Sequence, residues 1–349
     1  MARGAGQPMS IETLRIDAPR DDEVLVRIVA SGICRTDIDM WEAGGLGAAV
    51  LGHEGAGVVE ETGRAVTAVK PGDHVVLSYQ SCGRCRFCRG GHPTACEHFW
   101  DLNFGFERAN GSSGYANAQA QGHFFGQSSF ATHALATERN IVKVSKALPL
   151  DVLAPLGCGL QTGAGTVMNS LRVRSRCSLA VLGTGTVGLA AIMAARIVGA
   201  GPIIGVDLRP RRLALARELG ATHVIDSRKT DVSARIERIC ERLDFAIDTT
   251  GSPALIATAE DHLLPGGCMA ILAGGSDQEL SDGRRVLAVI QGDSVPQRFI
   301  PRLIRFWRDG QFPFDRLIRF YDFKDINRAF ADVQNGRAVK AVLRMTNAA

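Results

Sequence analysis

The sequence predicts an α/β protein of two domains, one mainly β and one built on a doubly wound parallel sheet. Short alternating apolar runs, broken by Gly, Pro and Asp, fill the first 158 residues. From 159 to about 290, apolar runs alternate with helical patterns, as in a parallel sheet. The length of 349 residues is sufficient for two sizeable cores.

Four alternating runs define the predicted strands of the first domain. They read VLVRIV, GAGVVEE, GDHVVLS and FATHALA and occupy residues 24–29, 55–61, 72–78 and 130–136. Between them, residues 99–130 form a long connection rich in Asn, Gly, Ser and Gln. A connection of this length is expected to be functional or disordered.

The second domain follows a strand–helix alternation. Its predicted strands are residues 179–182, 203–206, 224–225, 245–247 and 268–272, and its predicted helices are 186–198, 234–243 and 254–263. The tail adds helical patterns at 299–307 and 326–330 and a final strand, AVLRM, at 341–345. In a wound sheet the ligand binds at the carboxyl ends of the strands.

A glycine-rich turn lies at the end of the first of these strands. Gly183, Gly185 and Gly188 form G-x-G-x-x-G, with a strand before the motif, a helix after it and Asp207 about 20 residues further on. This context indicates a dinucleotide whose pyrophosphate lies at the helix N-terminus. Asp207 would bind the adenosine ribose and repel a 2′-phosphate, which favours NAD. The arginines at 209, 211 and 212 are the evidence for NADP, since they could accommodate a phosphate.

Four closely spaced cysteines form the first predicted metal site. Cys82, Cys85, Cys88 and Cys96 follow a C-x2-C-x2-C-x7-C spacing, which suits one tetrahedral Zn²⁺. All four positions would be filled by protein, so the site would be structural. The alternative is a disulfide-stapled or redox loop.

A second, incomplete ligand set is distributed over three glycine-rich turns. Cys34 lies in SGICRTD, His53 and Glu54 in LGHEGAG, and Cys158 in LGCGLQTG. Two Cys and one His leave the fourth position of a zinc ion open, which is typical of a catalytic metal acting as a Lewis acid. The alternative is that these are three unrelated residues, because a lone buried Cys usually behaves as a small hydrophobe.

The composition of the whole chain excludes several classes of protein. A net charge of +4, with 46% hydrophobic and 22% charged residues, does not suggest a nucleic-acid partner. No apolar run reaches 18 residues, so no membrane-spanning helix is predicted. The N-terminal MARGAGQPMS lacks the apolar segment of a signal peptide, and this segment is expected to fray. Three cysteines remain after the ligands are counted, at 177, 240 and 268, which favours free thiols in a cytoplasm.

From about Arg15 to Met345 the chain resembles the zinc-dependent medium-chain dehydrogenases, the alcohol dehydrogenase family. GHEGAG, the four-cysteine loop, GCGxxTG and GTGTVG carry the resemblance, in the order of the family. The C-terminal GDSVPQRFIPRLI and GQFPFDRLIRFYDFKDINRAF make the chain most similar to bacterial aryl-alcohol (benzyl-alcohol-type) dehydrogenases. The resemblance implies a GroES-like catalytic domain with two zinc ions, formed by residues 1–158 and 291–349, and a Rossmann NAD-binding domain at 159–290.

The resemblance also implies roles for residues around the open metal site. Cys34, His53 and Cys158 match the catalytic zinc ligands, and Glu54 matches a glutamate that exchanges with the water on the metal. Thr36 matches the hydroxyl that takes the proton of the alcohol. Asp37 would orient His53, as ligating imidazoles generally require.

Further positions match residues that contact the cofactor. Arg35 and Lys340 match contacts to the pyrophosphate, and Arg212 matches a position beside the adenosine ribose. Thr162 and Val187 match residues that press the nicotinamide towards the substrate.

One position departs from well-known members of the family. Where they carry a His that ends the proton relay, five residues after the first Cys ligand, this chain has Asp39. Asp39 either passes the proton through the ribose hydroxyl to water or is a solvated residue at the start of a helix, in which case the relay ends elsewhere. Members with an insertion such as 99–130 are often dimers, so a homodimer is favoured over a tetramer.

The implied reaction is reversible oxidation of a primary aromatic or allylic alcohol to the aldehyde, with hydride transfer to NAD⁺. Another zinc alcohol, polyol or glutathione-adduct dehydrogenase of the same family is an alternative. A remote alternative is a non-catalytic protein that binds nucleotide and zinc. Such a protein would not need every ligand of the open zinc site, and this chain has all of them.

Overall fold

The structure, a computed structural model, describes residues 1–45, 47–108, 110–116, 120–275 and 277–345. Within that part the strands are β1 (Glu23–Gly32), β2 (Gly55–Thr62), β3 (His74–Leu77), β4 (His133–Thr137), β5 (Ile141–Val144), β6 (Leu179–Leu182), β7 (Ile203–Asp207), β8 (His223–Asp226), β9 (Leu243–Asp248), β10 (Leu263–Ile271), β11 (Gln278–Glu279), β12 (Arg285–Ala288), β13 (Ile318–Asp322) and β14 (Lys340–Arg344).

The helices connect and cover two sheets. They are α1 (Arg35–Ala43), α2 (Arg86–Arg89), α3 (Phe99–Phe104), α4 (Leu150–Leu153), α5 (Gly159–Gly165), α6 (Thr186–Ile197), α7 (Pro210–Leu219), α8 (Val232–Ile239), α9 (Pro253–His262), α10 (Pro296–Arg308) and α11 (Ile326–Gln334). In the described part of the chain, none of them combines the length and the apolar character needed to span a membrane.

The described chain forms two compact units. Unit 1 comprises Met1–Cys158, Val295–Pro301 and the described residues from Asp315 onward, and unit 2 comprises Gly159–Ser294 and Arg302–Phe314. The predicted domain boundaries at 158/159 and 290/291 remain a prediction.

Unit 1 is built on a seven-stranded sheet in the order β13-β14-β1-β2-β3-β5, with β4 also paired to β1. Side chains of β1 alternate between buried and half-buried positions, and the apolar residues of β1, β2 and β3 form a common core. Pairing of Ser31 with Gly55 places the end of β1 beside the start of β2. The segment that follows β1 and the segment that precedes β2 therefore lie next to each other.

Unit 2 contains a second seven-stranded sheet in the order β11-β12-β10-β9-β6-β7-β8. All pairs are parallel except the edge pair β11–β12. The chain order reverses between β6 and β9, and a ligand crevice forms at such a switch point. The predicted fold of two domains, the second built on a doubly wound parallel sheet, is confirmed.

Two helices begin and end earlier in the chain than predicted, and local contacts explain the difference. The Asp231 side chain accepts from the Ala234 N–H, so α8 begins at Val232 and not at 234. The helix ends at Ile239 because Cys240 is extended. Likewise, Leu263 is extended and belongs to β10, so the preceding helix ends one residue before it.

The N-terminal segment is held in place, so the expectation that it frays is wrong. Ala2 pairs with Ala49, and the backbone of Met9 exchanges hydrogen bonds of 2.8 and 2.9 Å with the Asn327 side chain. The long connection at 99–130 is partly ordered as well. It contains α3 and a 3₁₀ turn at Phe124–Gly126, while 109 and 117–119 lie outside the described residues.

Candidate active site

The three predicted ligands of the open metal site, Cys34, His53 and Cys158, lie close together in unit 1. Cys34 follows the end of β1 and caps α1, and His53 precedes β2, so the strand register brings both to the same end of the sheet. Cys158 follows a 3₁₀ turn at Ala154–Gly157, which is fixed to the end of β3 by a 2.7 Å hydrogen bond from Ser78 Oγ to the Gly157 carbonyl.

The spacing of the ligand atoms suits a tetrahedral metal. One ligand atom from each of Cys34, His53, Glu54 and Cys158 lies within 4.8 Å of the others. The Cys34 and Cys158 sulfurs are 3.9 Å apart. Two Zn–S bonds of about 2.3 Å at the tetrahedral angle would separate two sulfurs by about 3.8 Å, so the two thiols are already at the distance that zinc requires.

Asp37 sets the tautomer of His53. The fully buried Asp37 carboxylate lies 3.0 Å from His53 Nδ1 and can only accept, so Nδ1 carries the proton. His53 Nε2 is then an acceptor that is buried without a hydrogen-bond partner among the described residues. A buried lone pair of this kind fits a metal ligand. Asp37 also accepts from the Cys34 N–H at 2.9 Å, so a single carboxylate holds two ligands.

The electrostatics favour a thiolate at this site. A hydrogen bond with the Cys158 thiol is the largest cause holding the pKa of Cys34 well below its usual value, against burial, which acts to raise it. Metal ligands of this type must be deprotonated, and a depressed thiol pKa makes that state easier to reach.

Glu54 forms a buried ion pair with Lys340. The Lys340 ammonium lies 2.9 and 2.8 Å from the two carboxylate oxygens and donates to the Ile33 carbonyl at 2.9 Å, while both side chains are at most 2% exposed. Burial raises the pKa of Glu54 to about 6, against the opposing charge of Lys340. The contact of Lys340 with a pyrophosphate remains a prediction.

The other predicted residues on α1 lie near the metal ligands or at the surface. The half-buried Thr36 has its hydroxyl 3.9 Å from the Cys34 sulfur. Arg35 and Asp39 are exposed, and Arg35 Nε donates to Asp39 at 2.6 Å. Glu42 lies 3.8 Å from the same guanidinium. The roles assigned to Thr36, Arg35 and Asp39 remain predictions.

The four-cysteine loop forms a closed cluster. One sulfur from each of Cys82, Cys85, Cys88 and Cys96 lies within 4.8 Å of the others, and the Cys82 and Cys88 sulfurs are 3.9 Å apart. Backbone N–H groups donate to three of the sulfurs, and the one from Cys88 is the main cause that lowers the pKa of Cys85 to about 6. All nine cysteines of the chain are free, so the disulfide alternative is wrong and the donor set fits zinc.

The glycine turn of unit 2 has the shape of a nucleotide site. A Cβ on Gly188 would lie 1.9 Å from the Gly183 carbonyl oxygen, so only glycine lets α6 pack this closely on the turn. A Cβ on Gly185 would meet only the Arg212 guanidinium, at 3.9 Å. The backbone at Gly185 is therefore open to a close ligand at the N-terminus of α6, and the site fits a pyrophosphate.

Asp207 ends β7 beside this turn. Its carboxylate accepts from the Thr184 N–H at 2.8 Å and the Thr184 hydroxyl at 2.9 Å. Arg212 Nη1 lies 4.0 Å from it. Thr162 and Val187 belong to adjoining helices, because a Cβ on Gly163 would lie 2.0 Å from the Val187 carbonyl oxygen. The cofactor contacts of Asp207, Arg212, Thr162 and Val187 remain predictions.

An aromatic cluster that the sequence did not predict packs on His53. The Phe125 ring stacks on the imidazole with centroids 4.4 Å apart, and Phe124 meets it edge-on at 5.4 Å. Phe104 contacts Phe125 at 5.0 Å, and Trp100, 62% exposed, contacts Phe104 at 5.3 Å. The signal was present, since the polar 99–130 connection carries six Phe and one Trp.

Comparisons with known proteins agree with both halves of this description. Residues 20–146 match the family model described as the alcohol dehydrogenase GroES-like domain, and residues 186–294 match the model described as zinc-binding dehydrogenase. The chain is 44% identical to geraniol dehydrogenase of Castellaniella defragrans (strain DSM 12143 / CCUG 39792 / 65Phen) over 356 aligned positions, which cover 98% of this chain and 95% of that protein.

Two solved structures are similar along nearly the whole chain. Benzyl alcohol dehydrogenase from Acinetobacter calcoaceticus superposes with a TM-score of 0.94 at 41% identity. An alcohol dehydrogenase zinc-binding domain protein from Burkholderia ambifaria superposes with a TM-score of 0.94 at 48% identity. Each comparison covers 99% of this chain and 98% of the other.

Proposed function

The chain belongs to the zinc-dependent alcohol dehydrogenase family, and from that premise we propose that it oxidises primary aromatic or allylic alcohols to aldehydes, reversibly, with NAD⁺ as hydride acceptor. The observation that carries the proposal is the buried Nε2 of His53, which has no hydrogen-bond partner in the described part of the chain. His53 shares one ligand set with the Cys34 and Cys158 thiols, and aromatic rings pack on its imidazole. We assign one catalytic and one structural zinc to each chain.

Different residues of unit 1 have different roles in the proposed reaction. Cys34, His53 and Cys158 would hold the catalytic ion, and Asp37 keeps His53 in the ligating tautomer. When bound, Zn²⁺ supplies a Lewis acid that polarises the alcohol oxygen, and NAD⁺ supplies the hydride acceptor. Thr36, beside the Cys34 sulfur, takes the proton that the alcohol loses. Asp39 lies three residues further on the same helix, is exposed, and passes that proton to water.

The substrate class is supported by the aromatic cluster and by two of the relatives. The buried Phe124 and Phe125 connect His53 to the half-buried Phe104 and the exposed Trp100, whose rings would offer stacking and apolar contact to a flat, unsaturated substrate. Geraniol is a primary allylic alcohol and benzyl alcohol a primary aromatic one, and the enzymes named for them are 44% and 41% identical to this chain.

Initial rates of NADH formation test the proposal. Benzyl alcohol, geraniol, ethanol and sorbitol are compared as substrates, with zinc counted per chain in the same preparation. We expect two zinc ions and a kcat/KM for the first two alcohols that exceeds that for ethanol and sorbitol. Ethanol or sorbitol as the best substrate would overturn the substrate class, and a chain with one zinc would overturn the catalytic metal.

Replacing Asp207 with Asn tests the proposed preference for NAD. The substitution removes the negative charge at the end of β7 but keeps an oxygen that accepts from Thr184. Relief of the repulsion between two charges is expected to lower the NAD-to-NADP ratio of kcat/KM by about tenfold. The matched control is Asp226→Asn, because Asp226 is the register partner of Asp207 on β8 and pairs with Arg228. Equal ratios in the wild type and in Asp207→Asn would refute the ribose contact.

A further inference from the structure

A glutamine side chain lies behind the ligands of the open metal site. Gln127 is 2% exposed. Its Nε2 donates to two carbonyl oxygens, those of His53 and Ser78, each at 3.0 Å. Its Oε1 accepts from the Gly55 N–H at 3.1 Å. The amide therefore uses both of its N–H groups and its oxygen on the backbone of two different loops.

The contact to Ser78 continues to the third ligand. Ser78 Oγ donates to the Gly157 carbonyl at 2.7 Å, and Gly157 directly precedes Cys158. A Cβ on Gly157 would lie 2.0 Å from the Leu77 carbonyl oxygen, so the loop carrying Cys158 rests directly on the backbone of β3. A short chain of contacts thus joins the backbone of His53 to that of Cys158 through the Gln127 amide.

Gln127 is itself fixed by the residues on either side. Asn140 Nδ2 donates to the Gly126 carbonyl at 2.9 Å, and Ser128 Oγ donates to the Val50 carbonyl at 2.6 Å. Phe125 and Ser128 have φ of 52° and 53°, a left-handed conformation that costs free energy for residues other than glycine. In this conformation Phe125 stacks on His53, and the Gln127 amide lies between the loops that carry His53 and Ser78.

We propose that Gln127 is a positioning residue that sets the separation of His53 and Cys158 and thereby the zinc affinity of the site. Asp37 already links the first and second ligands, since it binds both the Cys34 backbone and the His53 ring. Gln127, through Ser78, links the second and third. This inference rests on the proposed function, because it requires a metal at Cys34, His53 and Cys158.

Gln127→Glu and Ser78→Ala separate positioning from folding. Glu has the size of Gln, but its carboxylate has no N–H to donate and would face the His53 and Ser78 carbonyls. Ser78→Ala removes the hydroxyl that donates to the Gly157 carbonyl and keeps the Ser78 carbonyl that accepts from Gln127, so it tests the same connection in a milder way if the first variant folds poorly. Gln297→Glu is the matched control, because the Gln297 Nε2 also donates to two backbone carbonyls, those of Arg139 at 2.9 Å and Ile141 at 3.2 Å, and neither belongs to a ligand loop.

The test is chelator competition for zinc in the intact protein, with the four-cysteine ion as an internal standard. We expect Gln127→Glu to weaken zinc at the Cys34 site by about 10- to 100-fold, Ser78→Ala by a smaller factor and Gln297→Glu not at all. The four-cysteine ion should be retained in every variant. With Co²⁺ in the Cys34 site, the d–d absorption bands should shift in both test variants, which a general loss of stability would not cause.

Two other outcomes would overturn the positioning role, and they can be told apart. If the wild type binds two zinc ions and both test variants keep its affinity and its cobalt spectrum, the positioning role is refuted while the proposed function stands. If the wild type holds only the four-cysteine zinc, the proposed function and the positioning role fail together.

Discussion

Replacing His53 with Ala is expected to reduce kcat/KM for the best alcohol by on the order of 10³-fold or more, because an imidazole ligand of the Lewis acid is lost. The backbone of His53 would remain, with its contact to Gln127. Zinc analysis should find one ion fewer per chain, since the four-cysteine set draws all its ligands from residues 82–96 and does not depend on His53.

The control for this variant is a histidine remote from the metal site. His133 lies on β4, and its Nε2 is 3.1 Å from Glu60. His133→Ala should keep both zinc ions and wild-type activity. Full activity of His53→Ala with its zinc still in place would contradict the assignment of His53 as a ligand, and loss of both ions would show that the substitution disturbs more than one site.

The position of His53 illustrates what could be predicted from the sequence. Zinc accepts few side-chain types, so the Cys and His residues in glycine-rich turns were few enough to enumerate. The turns follow or precede strands, and the strand register brings Cys34 and His53 together as expected. In the same way, G-x-G-x-x-G between β6 and α6 was informative because Gly183 and Gly188 meet steric requirements that the structure shows, while Gly185 leaves the backbone open at the N-terminus of α6.

Asp37 was expected to orient His53, but the contacts of two other supporting residues, Gln127 and Lys340, could not be predicted in this way. Gln127 is separated from its partners His53 and Ser78 by 74 and 49 residues, and no spacing rule links a glutamine to such contacts. Lys340 is an even clearer case, because lysine is almost never fully buried unless it is paired. Only the pairing of β14 with β1 shows that Lys340 enters the interior of unit 1 beside Glu54.

Replacing Lys340 with Met is expected to destabilise the metal-free protein by about 3–5 kcal/mol near neutral pH. Both members of the Lys340–Glu54 pair are at most 2% exposed, and removal of one partner leaves an uncompensated buried charge. Met has a similar length and is apolar, so the lost volume is small. Urea unfolding of metal-free wild type and variant measures the difference without interference from zinc binding.

The matched control is a replacement of a cation by methionine at an exposed ion pair of the same sheet. Arg27 on β1 lies 3.0 Å from Glu60 on β2, and the two side chains are 42% and 37% exposed. Exposed pairs contribute little because water screens them and the long side chain loses freedom, so Arg27→Met should cost well under about 1 kcal/mol. Equal costs for the two substitutions would mean that burial of Lys340 has no energetic consequence.

The pH dependence identifies Glu54 as the cause of the instability. Burial already raises the pKa of Glu54 to about 6 in the presence of Lys340, against an ordinary value of 4.5. Without the lysine, burial is opposed less and the folded-state pKa rises further. A carboxyl group whose pKa is higher in the folded state than in the unfolded state loses stability as the pH rises through the two values. The deficit of Lys340→Met relative to the wild type should therefore be largest above the folded-state pKa of Glu54 in the variant and shrink as the pH falls towards about 6, the pKa of Glu54 in the wild type.

A second substitution at Glu54 completes the test. In Glu54→Gln/Lys340→Met the buried charge is removed together with its partner, so the double variant should be more stable near neutral pH than Lys340→Met alone and should lack its pH dependence. Removing a further polar group from a damaged core would ordinarily add to the loss, so a gain in stability is expected only if the two residues are coupled. A double variant less stable than Lys340→Met would show that the lysine supports the fold through its contact with the Ile33 carbonyl and not through Glu54.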